Sequence, residues 1–418
     1  MTRNDIEIMA PAGSYESLMA AIQGGADSVY FGVERLNMRS KSANNFQLDK
    51  LGEIAALCNE LGIKSYLTLN TIMYDSDLPV MRRIIDMAKE AGVSAVIASD
   101  QSAILYAAEK GVEVHISTQL NISNIETLRF YAKFAEVVVL ARELTLEQVA
   151  EISHQIHAQD VRGPRGELIK IEMFAHGALC MSISGKCYLS LHEYDRSANR
   201  GGCLQTCRRA YVVTDKETGS QLEIDNEYIM SPKDLCTISF MDKMIKAGVT
   251  VFKIEGRARS GEYVETVSRC YSEAAQAVAD GTYSKEKIDE WTKRLEGVFN
   301  RGFWGGYYLG KKLGEWSEVY GNRSLRRKEY VAKCTNYFSN IGVAEFLIES
   351  GELKVSDSIL VLGPTTGVVE QTVKEIRVDL KPVDVAKKGE RCSILIEKIR
   401  RSDRLYKWVE NKWLETHR

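Results

Sequence analysis

Short apolar runs rich in β-branched residues alternate with longer helix-patterned stretches over roughly the first 260 residues, a rhythm that predicts a parallel sheet. The runs fall at residues 6–10, 28–33, 64–69, 95–98, 112–117, 137–141, 171–175 and 249–254. Between them, helices are expected at 14–23, 48–61, 79–90, 144–157 and 235–247. Glycine precedes several strands, at Gly24-Gly25, Gly62, Gly92, Gly111 and Gly248, where a helix would end in a left-handed turn. Eight such units predict a (β/α)8 TIM-like barrel. A doubly wound open sheet is the competitor, but no Gly-x-Gly-x-x-Gly follows the first strand to support dinucleotide binding.

In a barrel of this kind, chemistry gathers where strands end and the following loops begin. Those ends carry Gly13, Arg39, Asn70, Asp100, Gln119, Arg142, His176, Glu255 and Arg257, a far more polar set than the strands themselves. The seventh loop is unusual, with about 70 residues before the eighth strand, and loops of that length are commonly functional. After Asn322 the pattern changes to short alternating strands at 332–337, 341–349, 358–362, 368–376 and 393–397. The expected organisation is a barrel over 1–322, with a cysteine-rich insertion at about 177–245, and a small all-β barrel domain over 323–418.

Composition alters this picture little. Hydrophobic residues make up 44% and charged residues 27% of 418, as in ordinary globular chains. The start, Met-Thr-Arg-Asn-Asp-Ile-Glu, lacks a signal-peptide core, and no apolar run reaches membrane-span length. A cytoplasmic location with reduced thiols and no membrane partner is the expectation. Net charge is −2, so there is no global basic signature for nucleic acid. Basic residues do cluster locally, in Arg323-Ser-Leu-Arg-Arg-Lys328 and in a tail from Glu397 that interleaves Trp408 and Trp413. A solvated face is the ordinary reading of such a tail, an RNA-contacting surface the functional one.

Five of the nine cysteines crowd into the insertion: Cys180, Cys187, Cys203, Cys207 and Cys236. In a reducing compartment, clustered thiols point to a metal or redox site rather than to disulfides. Only Cys203 and Cys207 have the close spacing usual for zinc, whereas an iron–sulfur cluster accepts looser spacing. The residues alone leave cluster, zinc and plain buried thiols open. The Cys-x3-Cys-x2-Cys radical signature is absent, since Arg208-Arg209-Ala210 follows Cys207 and puts alanine where the third cysteine would stand.

Residues 172–190 match Glu-x-Phe-x-x-Gly-Ala-Leu-Cys-x4-Gly-x-Cys-x-Leu-Ser, and on that motif the chain resembles the collagenase-like peptidase U32 family. Further blocks agree: Met9-Ala-Pro-Ala-Gly13, Ser117-Thr-Gln119, Leu140-Ala-Arg-Glu143, the cysteine block 202–208, Ser231-Pro-Lys-Asp-Leu-Cys236 and Lys253-Ile-Glu-Gly-Arg257. The resemblance implies a [4Fe–4S] cluster held by Cys180, Cys187, Cys203 and Cys236, with Cys207 as the alternate fourth ligand. It further implies hydroxylation without O2, using prephenate as oxygen donor. For a chain with an appended β domain, the implied product is 5-hydroxyuridine at the tRNA wobble position, with the anticodon loop as partner. Other relatives act on ribosomal RNA or a quinone precursor, and a homo-oligomer or related partner subunit is compatible with the family.

A dicarboxylate donor calls for guanidinium or ammonium groups, and Arg39, Arg142, Lys253 and Arg257 are the candidates, with Gln119, Tyr188 and Glu255 completing the expected pocket. Some of these cations could instead pair with Glu143, Glu172 or Glu255 to hold the rim. His176 is the expected acid–base residue, and His115 reads as a barrel-interior group. Two rivals remain at this stage. A peptidase is one, with His176 four residues from Cys180, although neither His-Glu-x-x-His nor Gly-x-Ser-x-Gly is present. The other is a zinc-stapled RNA-binding module without catalysis.

Overall fold

The computed structural model describes residues 2–41, 45–212, 214–219, 230–310, 314–317 and 321–411. Eight parallel strands close on themselves: β1 (Glu7–Pro11), β2 (Ser28–Phe31), β3 (Lys64–Leu69), β4 (Ala95–Ala98), β5 (Val114–Ile116), β6 (Val137–Val139), β7 (Lys170–Gly177) and β9 (Val249–Ile254). Closure comes from β9, which pairs with β1 through Ile8↔Phe252 and with β7 through Phe174↔Lys253. The expected TIM-like barrel is therefore present. Helices separate the strands, among them α1 (Tyr15–Gln23), α3 (Leu78–Glu90) and α6 (Leu146–Ala158). Ser14 caps α1 by accepting from Ser17 N, and Gly25, Gly62, Gly92, Gly111 and Gly248 all have positive φ.

Strand alternation sorts side chains into two layers. Ile8, Ala10, Val29, Phe31, Phe252 and Ile254 face the helices within one large core. Met9, Tyr30, Tyr66, Ile97 and Val251 pack together as a separate cluster inside the barrel. His115 is interior as expected, its ring 4.5 Å from that of Tyr66 and its Nε2 3.0 Å from Glu113.

One expected helix begins later than its pattern suggests. Residues 234–236 form β8 (Asp234–Cys236), and α8 starts only at Met241 and ends at Lys246. The strand is captured by the tip of β7, through His176↔Cys236 and Gly177↔Leu235, and by β10 (Phe303–Trp304) on its other side. An exposed strand end is a template for pairing, and that pairing outweighs the helical pattern.

Beyond the barrel, an eight-stranded antiparallel sheet is built from β11 (Arg326–Phe338), β12 (Val343–Ile348), β14 (Ser358–Gly363), β15 (Gly367–Thr372), β16 (Ile376–Val378), β17 (Lys381–Val383), β19 (Arg391–Leu395) and β20 (Arg404–Glu410). A two-stranded ribbon, β13 (Glu352–Lys354) with β18 (Val385–Lys387), accompanies it. These strands enclose their own core around Phe346, Ile359, Val361 and Leu405. Gln23 of α1 joins the two regions, donating to Thr366 O (3.0 Å) and accepting from Val368 N (2.9 Å).

The basic run that leads into β11 is largely spent on pairing. Arg326 meets Glu370 (3.3 Å), Arg327 meets Glu329 (2.7 Å) and Lys328 meets Glu262 (2.8 Å). Trp408 lies under the Arg326 guanidinium, 3.9 Å from its ring centre. Trp413 lies outside the described residues.

Candidate active site

The loop after β2 folds inward and brings Asn37 and Arg39 over the barrel mouth. Its backbone takes left-handed conformations at Glu34 (φ 40°) and Leu36 (φ 65°), a cost that the buried contacts of Asn37 offset. Asn37 Oδ1 accepts from Arg39 N (3.1 Å) and from Arg257 Nη1 (3.0 Å). Arg257 Nη1 also donates to Thr68 Oγ1 (2.9 Å) at the end of β3. Glycine is required beside this group: a Cβ on Gly13 would stand 2.0 Å from Arg257 O, and one on Gly32 would stand 2.7 Å from Arg257 Nη1. The Ala-Pro-Ala-Gly and Lys-Ile-Glu-Gly-Arg blocks thus meet across the β1–β9 seam.

Glu255 sits at the centre of the cationic set. Its carboxylate receives Arg39 Nη2 at 2.7 Å and the Tyr30 hydroxyl at 3.2 Å. Burial alone would raise its pKa, but Arg39 and Arg257, with Arg142 further off, outweigh burial and hold it at about 2. Lys253 Nζ, one strand position inward, contacts Glu172 Oε1 at 2.7 Å, with side-chain exposures of 6% and 0%. Arg142 is different: it stacks on Phe174 (3.9 Å), and its Nε is a buried donor without a partner. Arg257 Nε is likewise unsatisfied. On the opposite wall Asn70 donates to Ser117 Oγ (3.2 Å) and Gln119 Oε1 (3.4 Å), fixing the amide of Gln119.

The cysteine-rich insertion roofs this cavity. It contains α7 (Leu189–Tyr194) and two short turns, and is pinned mainly by side chains. Arg208 donates to Leu179 O and Pro232 O, both at 2.6 Å, and to Ser231 Oγ at 3.1 Å. Gly201, at φ 76°, lets the insertion touch the Asn37 loop, where a Cβ would stand 2.4 Å from Asn37 O. Cys180, Cys187, Cys203 and Cys207 all line the cavity together with Arg39, Arg142, Lys253, Glu255 and Arg257. All four are free thiols. Burial pushes Cys207 up to about 11 against the opposing effect of Arg208, with Cys180, Cys203 and Cys187 close enough to raise it further.

Four thiols line one cavity, the number an iron–sulfur cluster takes. Among the described residues no group of three His, Cys, Asp or Glu side chains is close enough to hold a metal ion as it stands. Arg39 beside Cys203 and Arg208 beside Cys207 favour the negative charge such a centre carries.

Of the expected site residues, Arg39, Gln119, Arg142, Lys253, Glu255 and Arg257 meet at the cavity. Three expected residues lie outside the cavity lining. Cys236 lies in β8, 9% exposed, with its sulfur 3.9 Å from Tyr271 OH, and does not line the cavity, whereas Cys207 does. His176 is 1% exposed and ringed by Tyr263, Tyr271 and Phe303, outside the cavity lining, and burial drives its pKa to about 3. Burial keeps this imidazole neutral, with its Nδ1 3.5 Å from Tyr271 OH. Tyr188 is 74% exposed at the start of α7 and does not line the cavity. Tyr30, Thr68 and Arg208 were not expected; the signal for the first two was their inward parity on β2 and β3.

Glu255 gives a pH prediction. Its folded-state pKa lies below the ordinary 4.5, so its contribution to stability is present above that value and is lost as pH falls towards about 2. Glu255→Gln should flatten the acid limb of stability by a few kcal/mol between about pH 5 and 2, measured by urea unfolding at each pH. Parallel acid limbs for parent and variant would contradict the assignment.

A closed parallel barrel with a polar, cation-lined mouth roofed by cysteines defines an α/β barrel protein with its site at the strand C-termini. Residues 13–318 match the model of peptidase family U32, and the chain belongs to that family. It is 61% identical over 409 residues to a "Collagenase" of Porphyromonas gingivalis (strain ATCC BAA-308 / W83), covering 98% of this chain and 99% of that one. It is 31% identical over 378 residues to "tRNA hydroxylation protein P1" of Bacillus subtilis (strain 168), covering 88% and 86%. A 23S rRNA 5-hydroxycytidine synthase of Escherichia coli (strain K12) is 35% identical over 276 residues, which cover 66% of this chain and 40% of that protein. Among the described residues no helix is long and apolar enough to cross a membrane.

Proposed function

We propose that this protein is an iron–sulfur-dependent RNA hydroxylase that works without O2 and forms 5-hydroxyuridine at the tRNA wobble position with prephenate as oxygen donor. The observation that carries this reading is the shared cavity, in which four free cysteines face a cluster of Arg and Lys side chains. The tRNA hydroxylation name of the Bacillus subtilis relative supports the substrate class. Cys180, Cys187, Cys203 and Cys207 would hold a [4Fe–4S] cluster, which when bound supplies electron-transfer and Lewis-acid chemistry.

The chain's own residues bind and orient. Arg39, Arg142, Arg208, Lys253 and Arg257 line the cavity; among the described residues Glu255 pairs with Arg39 and Glu172 with Lys253, which leaves positive charge over for a dianion. Arg39 and Lys253 are already paired, so Arg142 and the free Nε of Arg257 are the donors left to meet the ligand. Tyr30, whose pKa burial raises well above the ordinary value, stays a neutral donor beside Glu255. A base brought to this mouth must be unstacked, which suits a loop nucleotide.

The Porphyromonas gingivalis name favours a peptidase as second reading. A cysteine peptidase needs a base within reach of its thiol, and no histidine lines this cavity among the described residues. His176 is sequestered behind Phe303 and Tyr271.

Nucleoside analysis of tRNA from a deletion strain tests the assignment, with loss of wobble 5-hydroxyuridine expected. Anaerobically purified protein should absorb near ~400 nm with stoichiometric iron and sulfide. Arg142→Ala should raise the KM for the dicarboxylate roughly ten- to a hundredfold, the worth of one charge-assisted hydrogen bond, with a smaller effect on kcat. An unchanged KM would remove Arg142 from donor binding.

A further inference from the structure

A second compartment opens beside the cationic cavity, and its lining is of another kind. Trp304, Tyr307, Tyr308 and Trp316 supply aromatic surface, and Asn121 and Glu143 supply polar groups. Thr118, Arg142, Leu179 and Cys180 belong to both compartments, so the two meet along one wall. The aromatic side is built rather than incidental. Trp304 and Tyr307 pack edge to face, with centroids 5.0 Å apart, and Tyr308 OH donates to Phe174 O at 3.0 Å. Trp316 is held by a backbone bridge to Pro232, on the segment that Arg208 also anchors.

Two buried donors in this lining are unspent. Trp304 is 4% exposed and its Nε1 has no partner; Arg142 Nε has none either. A buried donor without an acceptor is costly, and a ligand carbonyl that reaches either one as the lining adjusts would recover that cost. We propose that this compartment seats an unstacked pyrimidine base of an RNA loop, stacked against Tyr307 and Trp316, with Arg142 standing between the base and the dicarboxylate. Flat π-faces suit indole and phenol rings. The amide of Asn121 and the carboxylate of Glu143 provide the acceptor and donor set that a base edge needs, which an aromatic peptide side chain would leave idle. The inference rests on the RNA reading above and adds the place of the base.

The probe is a hairpin oligoribonucleotide with an unpaired uridine loop, bound to the cluster-loaded protein at fixed salt and followed by fluorescence anisotropy. Trp316→Ala should weaken hairpin binding about tenfold or more, as loss of one base–aromatic stack does, while Trp316→Phe keeps most of the affinity. Prephenate binding, measured by calorimetry, should be the same in Trp316→Ala as in the parent. In the parent chain itself, 4-thiouridine in the loop should crosslink to residues 304–308 or to Trp316, a readout independent of how the variants fold. Crosslinks confined to other segments, with hairpin affinity unchanged in Trp316→Ala and Tyr307→Ala, would overturn the subsite and leave the RNA reading standing. A parent that binds prephenate but no hairpin would overturn both.

Discussion

Cys207→Ser is expected to strip the protein of most of its iron and of its visible absorbance, while Cys236→Ser keeps both at the parent level. The contrast follows from position, not acidity. Both thiols are pushed up to about 11 by burial, so neither is a ready thiolate on its own. Metal binding displaces such protons when the sulfur can reach the metal. Cys207 lines the cavity with Cys180, Cys187 and Cys203, whereas Cys236 is held in β8 against Tyr271. Serine is a poor substitute for a soft thiolate ligand, so one replacement in the ligating set should be enough. Cys236→Ser should show instead a stability loss of about 1–3 kcal/mol, from a smaller, more polar group in a tightly packed buried position beside Tyr271. Iron and sulfide per folded protein, with unfolding curves, separate the two. Iron lost from Cys236→Ser and retained in Cys207→Ser would sink the proposed ligand set.

That distinction was not legible in the sequence, for a physical reason. Spacing along an irregular loop does not tell which side of the chain a sulfur faces, and Cys236 lies outside the cavity lining where β8 pairs with the tip of β7. The barrel was legible because the strands are compact, mostly β-branched runs and five of them (β2, β3, β4, β5 and β9) follow a helix that ends on a glycine with positive φ. Arg39, Arg142, Glu255 and Arg257 were legible because barrel chemistry lies at strand C-termini. His176 stood out at the end of the seventh strand beside the cysteine motif, and its enclosure was not legible there. With Glu172 and Phe174 facing the barrel, simple alternation puts His176 on the same side. The structure has a β-bulge between Phe174 and His176: Phe174 pairs with Lys253, and His176 pairs with the next residue, Ile254. That extra residue turns the imidazole outward to Tyr271 of α9 (Gly261–Ala279). Bulges leave no clear trace in a strand pattern. The aromatic compartment was hidden too, because Trp304 and Trp316 reach it from beyond the eighth strand.

Lys253→Met should destabilise the protein by about 3–5 kcal/mol, because it leaves the fully buried Glu172 carboxylate without its cation. Against a total stability of roughly 5–15 kcal/mol, that is a large fraction. Glu172 Oε2 already lacks a hydrogen-bond partner, so no second group stands ready to take over. The paired replacement Lys253→Met with Glu172→Met removes both charges, and such swaps are often close to neutral. Urea unfolding at neutral pH should therefore show a deep loss in the single variant and recovery in the double. Activity should not recover with it. Lys253 lines the cavity and lies 4.7 Å from the Tyr30 ring centre and 5.6 Å from that of Phe174, so its charge contributes to the field a dianion meets. A purely structural Lys253 predicts that the double variant regains stability and turnover together. A Lys253 that also serves the ligand predicts regained stability with a KM still raised, and that split decides between them.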